Sequence, residues 1–171
     1  MNIKIKTFLI DDSSNKLCKM IFKVLHCNLL WVINLKNNAV YFIATDAFLL
    51  KHYCEKKYYL HDPDVNSSFK EAAKPYSNRL SWNIIFGTNF DDFYKSGFIY
   101  DLYKMFHIEE FVSIEKTTKI ERYCFRFFTL NNRFVFANKL LNNMPIVKCF
   151  INMMIKKMKT DLNKNSELLF E

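Results

Sequence analysis

Carboxylates, tyrosines and tryptophans are the residue types of this chain that best suit recognition chemistry. A carboxylate accepts an amide hydrogen bond, and Tyr and Trp each join an apolar wall to one polar handle. A charge-assisted contact of that kind contributes about 1.5–3 kcal/mol. Other reactive types are present without a pattern. His52, Cys54 and His61 lie near one another in sequence, but their spacing fits no standard zinc motif. Asp91–Asp92 and Glu109–Glu110 are adjacent acids, which read as helix-start or surface residues rather than as a catalytic pair. No GxSxG, HExxH, Walker or GxGxxG sequence occurs, and Gly87 and Gly97 are the sole glycines, so a phosphate-cradling loop is not expected. The expectation is a binding protein, not an enzyme, with no metal and no cofactor.

The elements that must position these residues belong to one domain spanning 1–171. A chain of 171 residues that is 50% hydrophobic buries about 70% of its unfolded surface around one core. Eighteen Phe and nine Tyr favour an aromatic core or an apolar pocket. The formal charge is +8, and its densest group, Lys148, Lys156, Lys157, Lys159 and Lys164, reads as a solvated helix face. Lysines interleave with aromatics from Tyr53 to Tyr59, a pattern able to stack on single-stranded bases but more often used for packing. No helix-turn-helix, zinc finger or basic-region helix is visible, so direct nucleic-acid binding is not expected.

The run Phe8 to Ile10 stops at Asp11 and Asp12, short of a signal-peptide core. Met20 to Leu35 is interrupted by Lys23, His26, Asn28 and Asn34 and is too short to span a bilayer. Five dispersed cysteines without a CxxC suit reduced thiols. A soluble, cytoplasmic protein that does not enter membranes is expected.

Leu17, Met20, Ile21, Val24 and Leu25 recur at helical spacing behind Ser13 or Ser14 as cap. Leu29–Leu35 and Ala39–Thr45 read as a β-hairpin, and Asp46 as the cap of a short helix through Tyr53. A short helix over Asp64–Ala73 and a strand over Leu80–Phe86 follow. Thr88 or Asn89 begins a helix whose face carries Phe90, Phe93, Tyr94, Gly97 and Tyr100. Glu110–Lys116 and Ile120–Leu130 are strands. Helical pattern then runs from Phe134 to Met144 and, past a kink or short break at Pro145, along the stripe Val147, Phe150, Ile151, Met154, Ile155, Met158 and Leu162. The expected fold is an α/β/α sandwich: an α+β domain with a largely antiparallel sheet of about five strands, helices on both faces, and a PAS- or GAF-like sensor architecture.

The stretch AVYFIATDAFLLKHYCEKKYYLHDPDV, Ala39 to Val65, followed by Leu80-Ser81-Trp82, resembles the autoinducer-binding sensory domain of LuxR-type transcription regulators. There a strand leads to a short helix bearing Trp and Tyr, then to an Asp-Pro pair and a downstream Trp. The resemblance implies a small apolar or amphipathic signal molecule held by Phe42, Thr45, Leu49, Tyr53, Asp62 and Trp82. Tyr53 matches the pocket Tyr, Asp62 the acid that accepts the ligand's amide N–H, Pro63 its neighbour and Trp82 the second pocket Trp. Read without the resemblance, Asp62-Pro63 also suits a turn or a helix start. Leu49 stands where the family has the Trp that holds a lactone, and Leu donates no hydrogen bond, which argues against an acyl-homoserine lactone. The family's DNA-binding helix-turn-helix is not expected within this chain. The resemblance further implies a homodimer, or a heterodimer with a related regulator; the alternative reading is a ligand-free protein that inhibits such regulators by pairing with them.

Overall fold

A computed structural model describes residues 4–36, 39–62, 65, 81–86, 97–108, 110–118, 121–130 and 133–161. In chain order the elements are β1 (Lys4–Leu9), α1 (Asp12–Leu25), β2 (Leu29–Lys36), β3 (Ala39–Ala44), α2 (Ala47–Glu55), a 3-10 turn (Tyr58–Leu60), β4 (Ser81–Phe86), α3 (Phe98–Phe106), β5 (Glu110–Thr117), β6 (Arg122–Thr129), α4 (Arg133–Asn142) and α5 (Met144–Asp161). The strands form one sheet in the order β1-β3-β2-β6-β5-β4. Every neighbouring pair is antiparallel except β1 with β3.

Two cores flank the sheet, which makes the α/β/α sandwich. On one face Cys18, Ile21 and Leu25 of α1, Phe136 and Leu140 of α4 and the stripe Val147, Phe150, Ile151, Met154, Ile155 and Met158 of α5 meet Val32, Ile114, Phe125 and Phe127. On the other, Leu49, Leu50 and Tyr53 of α2, Tyr58, and Phe98 and Leu102 of α3 meet Trp31, Ile33, Phe42, Phe111 and Phe128. Period-2 alternation sends neighbouring residues of β2 and β6 into opposite cores, so strands apolar on both sides separate two helical layers.

Most expected elements are present, with three differences. The sheet has a sixth strand, β1, whose partner β3 begins beyond α1 and β2; its pairing is therefore a long-range property that the short run Lys4–Leu9 does not advertise. The cap of α1 is Asp11, not Ser13 or Ser14: its Oδ1 accepts from the Ser14 backbone N–H at 2.6 Å. Gly97 is not helical but left-handed at φ +83°, immediately before α3, a conformation open to residues lacking Cβ. The sheet-facing residues of α3 are accordingly Phe98 and Leu102, with Tyr100 largely exposed. The expected break near Pro145 is present, at Asn143, and Pro145 itself falls in the first turn of α5, where its missing N–H costs nothing. The Asp64–Ala73 helix, the Thr88 or Asn89 cap, Phe90, Phe93, Tyr94 and Leu162 lie outside the described residues. With two glycines in the chain, left-handed residues also include His26, Lys57 and His107.

Candidate ligand-binding site

The α2 helix starts where the Asp46 Oδ1 accepts the Leu49 N–H at 2.7 Å, the expected cap. From that start, Leu49, Leu50 and Tyr53 turn onto the sheet and are fully buried. The Tyr53 hydroxyl donates to Asp62 Oδ2 at 2.5 Å. Arg126 completes the arrangement, its Nη1 donating to Asp62 Oδ2 and its Nη2 to Oδ1, both at 3.0 Å. Both partners have 0% exposure. Arg126 Nε also donates to Ser113 Oγ at 3.3 Å, and the guanidinium lies 4.9 Å from the centre of the Phe111 ring. A buried ion pair persists only when such hydrogen bonds offset the cost of desolvating both charges. Burial first, then the Asp62 carboxylate, push the Tyr53 hydroxyl well above its ordinary pKa, so it stays a hydrogen-bond donor at physiological pH.

Register explains how these groups meet. Ala44, Trp31, Arg126, Ser113 and Ile85 form one row across β3, β2, β6, β5 and β4. Directly opposed residues of an antiparallel pair lie on the same face, and Trp31 therefore shares the Asp62 face with Arg126. The Trp31 ring meets Tyr53 at 4.9 Å, Phe128 at 5.0 Å and Phe98 at 6.0 Å between centroids. Its indole Nε1–H is buried and has no hydrogen-bond acceptor among the described residues. An orphaned donor costs about 1–3 kcal/mol, and an oxygen brought by a ligand would satisfy it.

Among the expected site residues, Phe42, Leu49, Tyr53 and Asp62 come together: Phe42 meets the Tyr53 ring at 5.3 Å, and the three apolar or aromatic side chains share one core. Thr45 stands at the end of β3 with its hydroxyl accepting from Leu30 N–H at 3.0 Å and donating to Leu30 O at 3.3 Å. That places its polar group in the sheet's own hydrogen bonding. Trp82 pairs with Lys116, which pairs with Tyr123, a row different from that of Arg126. Pro63 lies outside the described residues.

Sequence reasoning missed Arg126 and Trp31. The signal for Arg126 was present: in Arg122–Thr129 the inward set Cys124, Arg126 and Phe128 places one charge among buried apolar residues, where charges are rare unless paired. His52 and Tyr58 instead converge on Asp101 of α3, His52 Nε2 lying 2.8 Å from Oδ2 and the Tyr58 hydroxyl donating to the same oxygen at 2.5 Å. Burial raises the Asp101 pKa, but the bonds from Tyr58 and His52 outweigh it, and the net shift is downward. Cys54 is a poor nucleophile, its thiol pushed up to about 12 by burial and by Glu55. Among the described residues no three His, Cys, Asp or Glu side chains gather as a metal would require, and no helix is long and apolar enough to cross a membrane.

The fold is similar to a solved one. The crystal structure of the VqsR LBD domain from Pseudomonas aeruginosa superposes with a TM-score of 0.58 at 9% sequence identity, over 84% of this chain and 86% of that one. No family model and no curated protein matches the sequence. At that identity the likeness shows the mixed α/β fold alone, in agreement with the sandwich read from the sequence.

Proposed function

We propose that the chain is a small-molecule-binding sensory domain of the LuxR type, acting in cytoplasmic signalling or transcription regulation without catalysis. The observation that carries this reading is the buried polar set Tyr53, Asp62, Arg126 and Ser113 beside the unsatisfied Trp31 N–H, inside an otherwise apolar aromatic layer. A few convergent polar groups in an apolar setting are what orient a small ligand. The ligand is a small, mainly apolar molecule with an oxygen acceptor for Trp31. The fold shared with an LBD domain supports the same reading. Native mass spectrometry of the protein from its own host tests it: a retained mass lost on denaturation is expected, and a chain that is empty in every preparation counts against it.

One observation favours a second reading, a ligand-free protein that heterodimerises with full-length LuxR-type regulators. Tyr53 and Arg126 already supply three hydrogen bonds to Asp62, so the carboxylate is satisfied without a guest. Capture of such a regulator with no small molecule present distinguishes this reading from the first.

A further inference from the structure

On the far side of the sheet from Asp62, α1 and α5 enclose an open apolar groove of about 290 Å³. Leu17, Met20 and Val24 form one wall and Ile146, Cys149 and Met153 the other. Met20 is 67% exposed, Ile146 51% and Met153 45%, values that set these side chains apart from the buried stripe beneath. Spacings of three, four and seven residues on both walls match the side-chain rows of a third helix laid between them. Exposed methionine suits such a surface because its unbranched thioether adapts to a partner's shape.

The charge around the groove selects the occupant. From Ser13 to Leu25 and from Met144 to Thr160 the two helices contain no acid, while Lys16, Lys19 and Lys23 lie along α1 and Lys148, Lys156, Lys157 and Lys159 along α5. Lys157 turns inward to Ser13 and Asp11, and Lys159 to Glu121. Lys16, Lys19, Lys23 and Lys156 make no ion pair among the described residues. A second copy packed on this face by a twofold axis would set lysine against lysine, which is unfavourable. A flat lipid surface does not fill a slot between two helices.

We propose that this groove docks an acidic amphipathic helix of a partner protein, independently of the ligand face. Leucine-type side chains enter the slot and glutamates or aspartates meet the α1 and α5 lysines, a helix-in-groove contact steered by charge.

The test uses the full chain and two synthetic peptides of about five helical turns with one leucine pattern, glutamate-rich in one and lysine-rich in the other. Fluorescence anisotropy should show binding of the acidic peptide alone. Roughly tenfold more salt, or Lys16→Glu with Lys23→Glu, should weaken it at least about tenfold, because opposite charges attract less when screened or reversed. Met20→Glu should abolish it while leaving the melting temperature unchanged, since Met20 is mostly exposed. Absence of binding, or equal binding of both peptides, overturns the proposal. So does self-association in sedimentation that Met20→Glu removes, which would assign the groove to a second copy. Preference for phosphatidylglycerol vesicles over the acidic peptide would assign it to a lipid surface and overturn the proposal equally.

Discussion

Arg126 holds both oxygens of Asp62 in a two-bonded, fully buried pair that ties β6 to a segment 64 residues earlier in the chain. The pair is an anchor for the 3-10 turn region as much as a feature of the site. Its energetic signature is non-additivity. Arg126→Met or Asp62→Leu alone leaves a buried charge without its partner and should cost about 3–5 kcal/mol, whereas the double variant should cost far less or even stabilise. Urea denaturation of the four proteins measures this directly. Additive losses would show that the two charges do not depend on each other. The same cycle guards against misreading Asp62→Ala in a ligand assay, since that change strands Arg126 as well as removing an acceptor.

Tyr53→Phe removes the hydroxyl and keeps the ring contacts with Trp31 and Phe42. Loss of a hydrogen bond to a carboxylate should lower stability by about 1.5–3 kcal/mol, read as a shift in urea midpoint at constant slope. It also frees one acceptor position on Asp62. A ligand bound through an amide N–H should therefore be retained, and loss of the retained mass would instead make the Tyr53 hydroxyl a direct ligand contact.

Trp31→Phe sets two effects of similar size against each other. The smaller ring leaves a cavity, while the removal of an unsatisfied donor recovers about 1–3 kcal/mol. Net stability without ligand should change by less than about 1.5 kcal/mol. Any ligand accepted through an oxygen should be lost or weakened about tenfold, the worth of one hydrogen bond. A variant that is strongly destabilised yet binds as before would place the indole among purely structural residues.

Acid should unfold the protein through carboxylates whose pKa is depressed by the fold. Asp11 is subject to burial, which raises its pKa, but hydrogen bonds from Ser14 and Ser13 and the charge of Lys157 bring it down to about 2. Asp101 is lowered by Tyr58 and His52, and Glu121 by Tyr123, Lys36 and Lys159, in both cases against the upward effect of burial. A depressed pKa means that the folded form holds its protons less tightly than the unfolded form. The stabilisation is complete above the ordinary carboxylate range and is lost as pH falls through the folded values, toward about 2 for Asp11. Melting temperature should fall steeply in that window, and Asp11→Ala should lose about 1 kcal/mol of cap energy near neutral pH but little at the acid end. An equal loss at both ends would separate the cap from its charge.

Local patterns made much of this architecture legible. The hairpin Leu29–Lys36 with Ala39–Ala44, the Asp46 cap and the α5 stripe are all written within a few residues of themselves. What stayed hidden depends on distant partners. Nothing near Lys4–Leu9 announces a parallel neighbour across α1 and β2. Nothing near Asp62 announces a guanidinium on the strand Arg122–Thr129. Tyr53 and Asp62 were named through the family resemblance, whereas Arg126, the buried partner of Asp62, was not.

Strand β6 serves both faces of the sheet at once. Arg126 points to Asp62, while Phe127, the next residue, points to the opposite core and meets Phe150 of α5 at 6.2 Å between ring centroids. One strand thus carries, on successive residues, the buried ion pair and the aromatic contact beneath the lysine-rimmed slot.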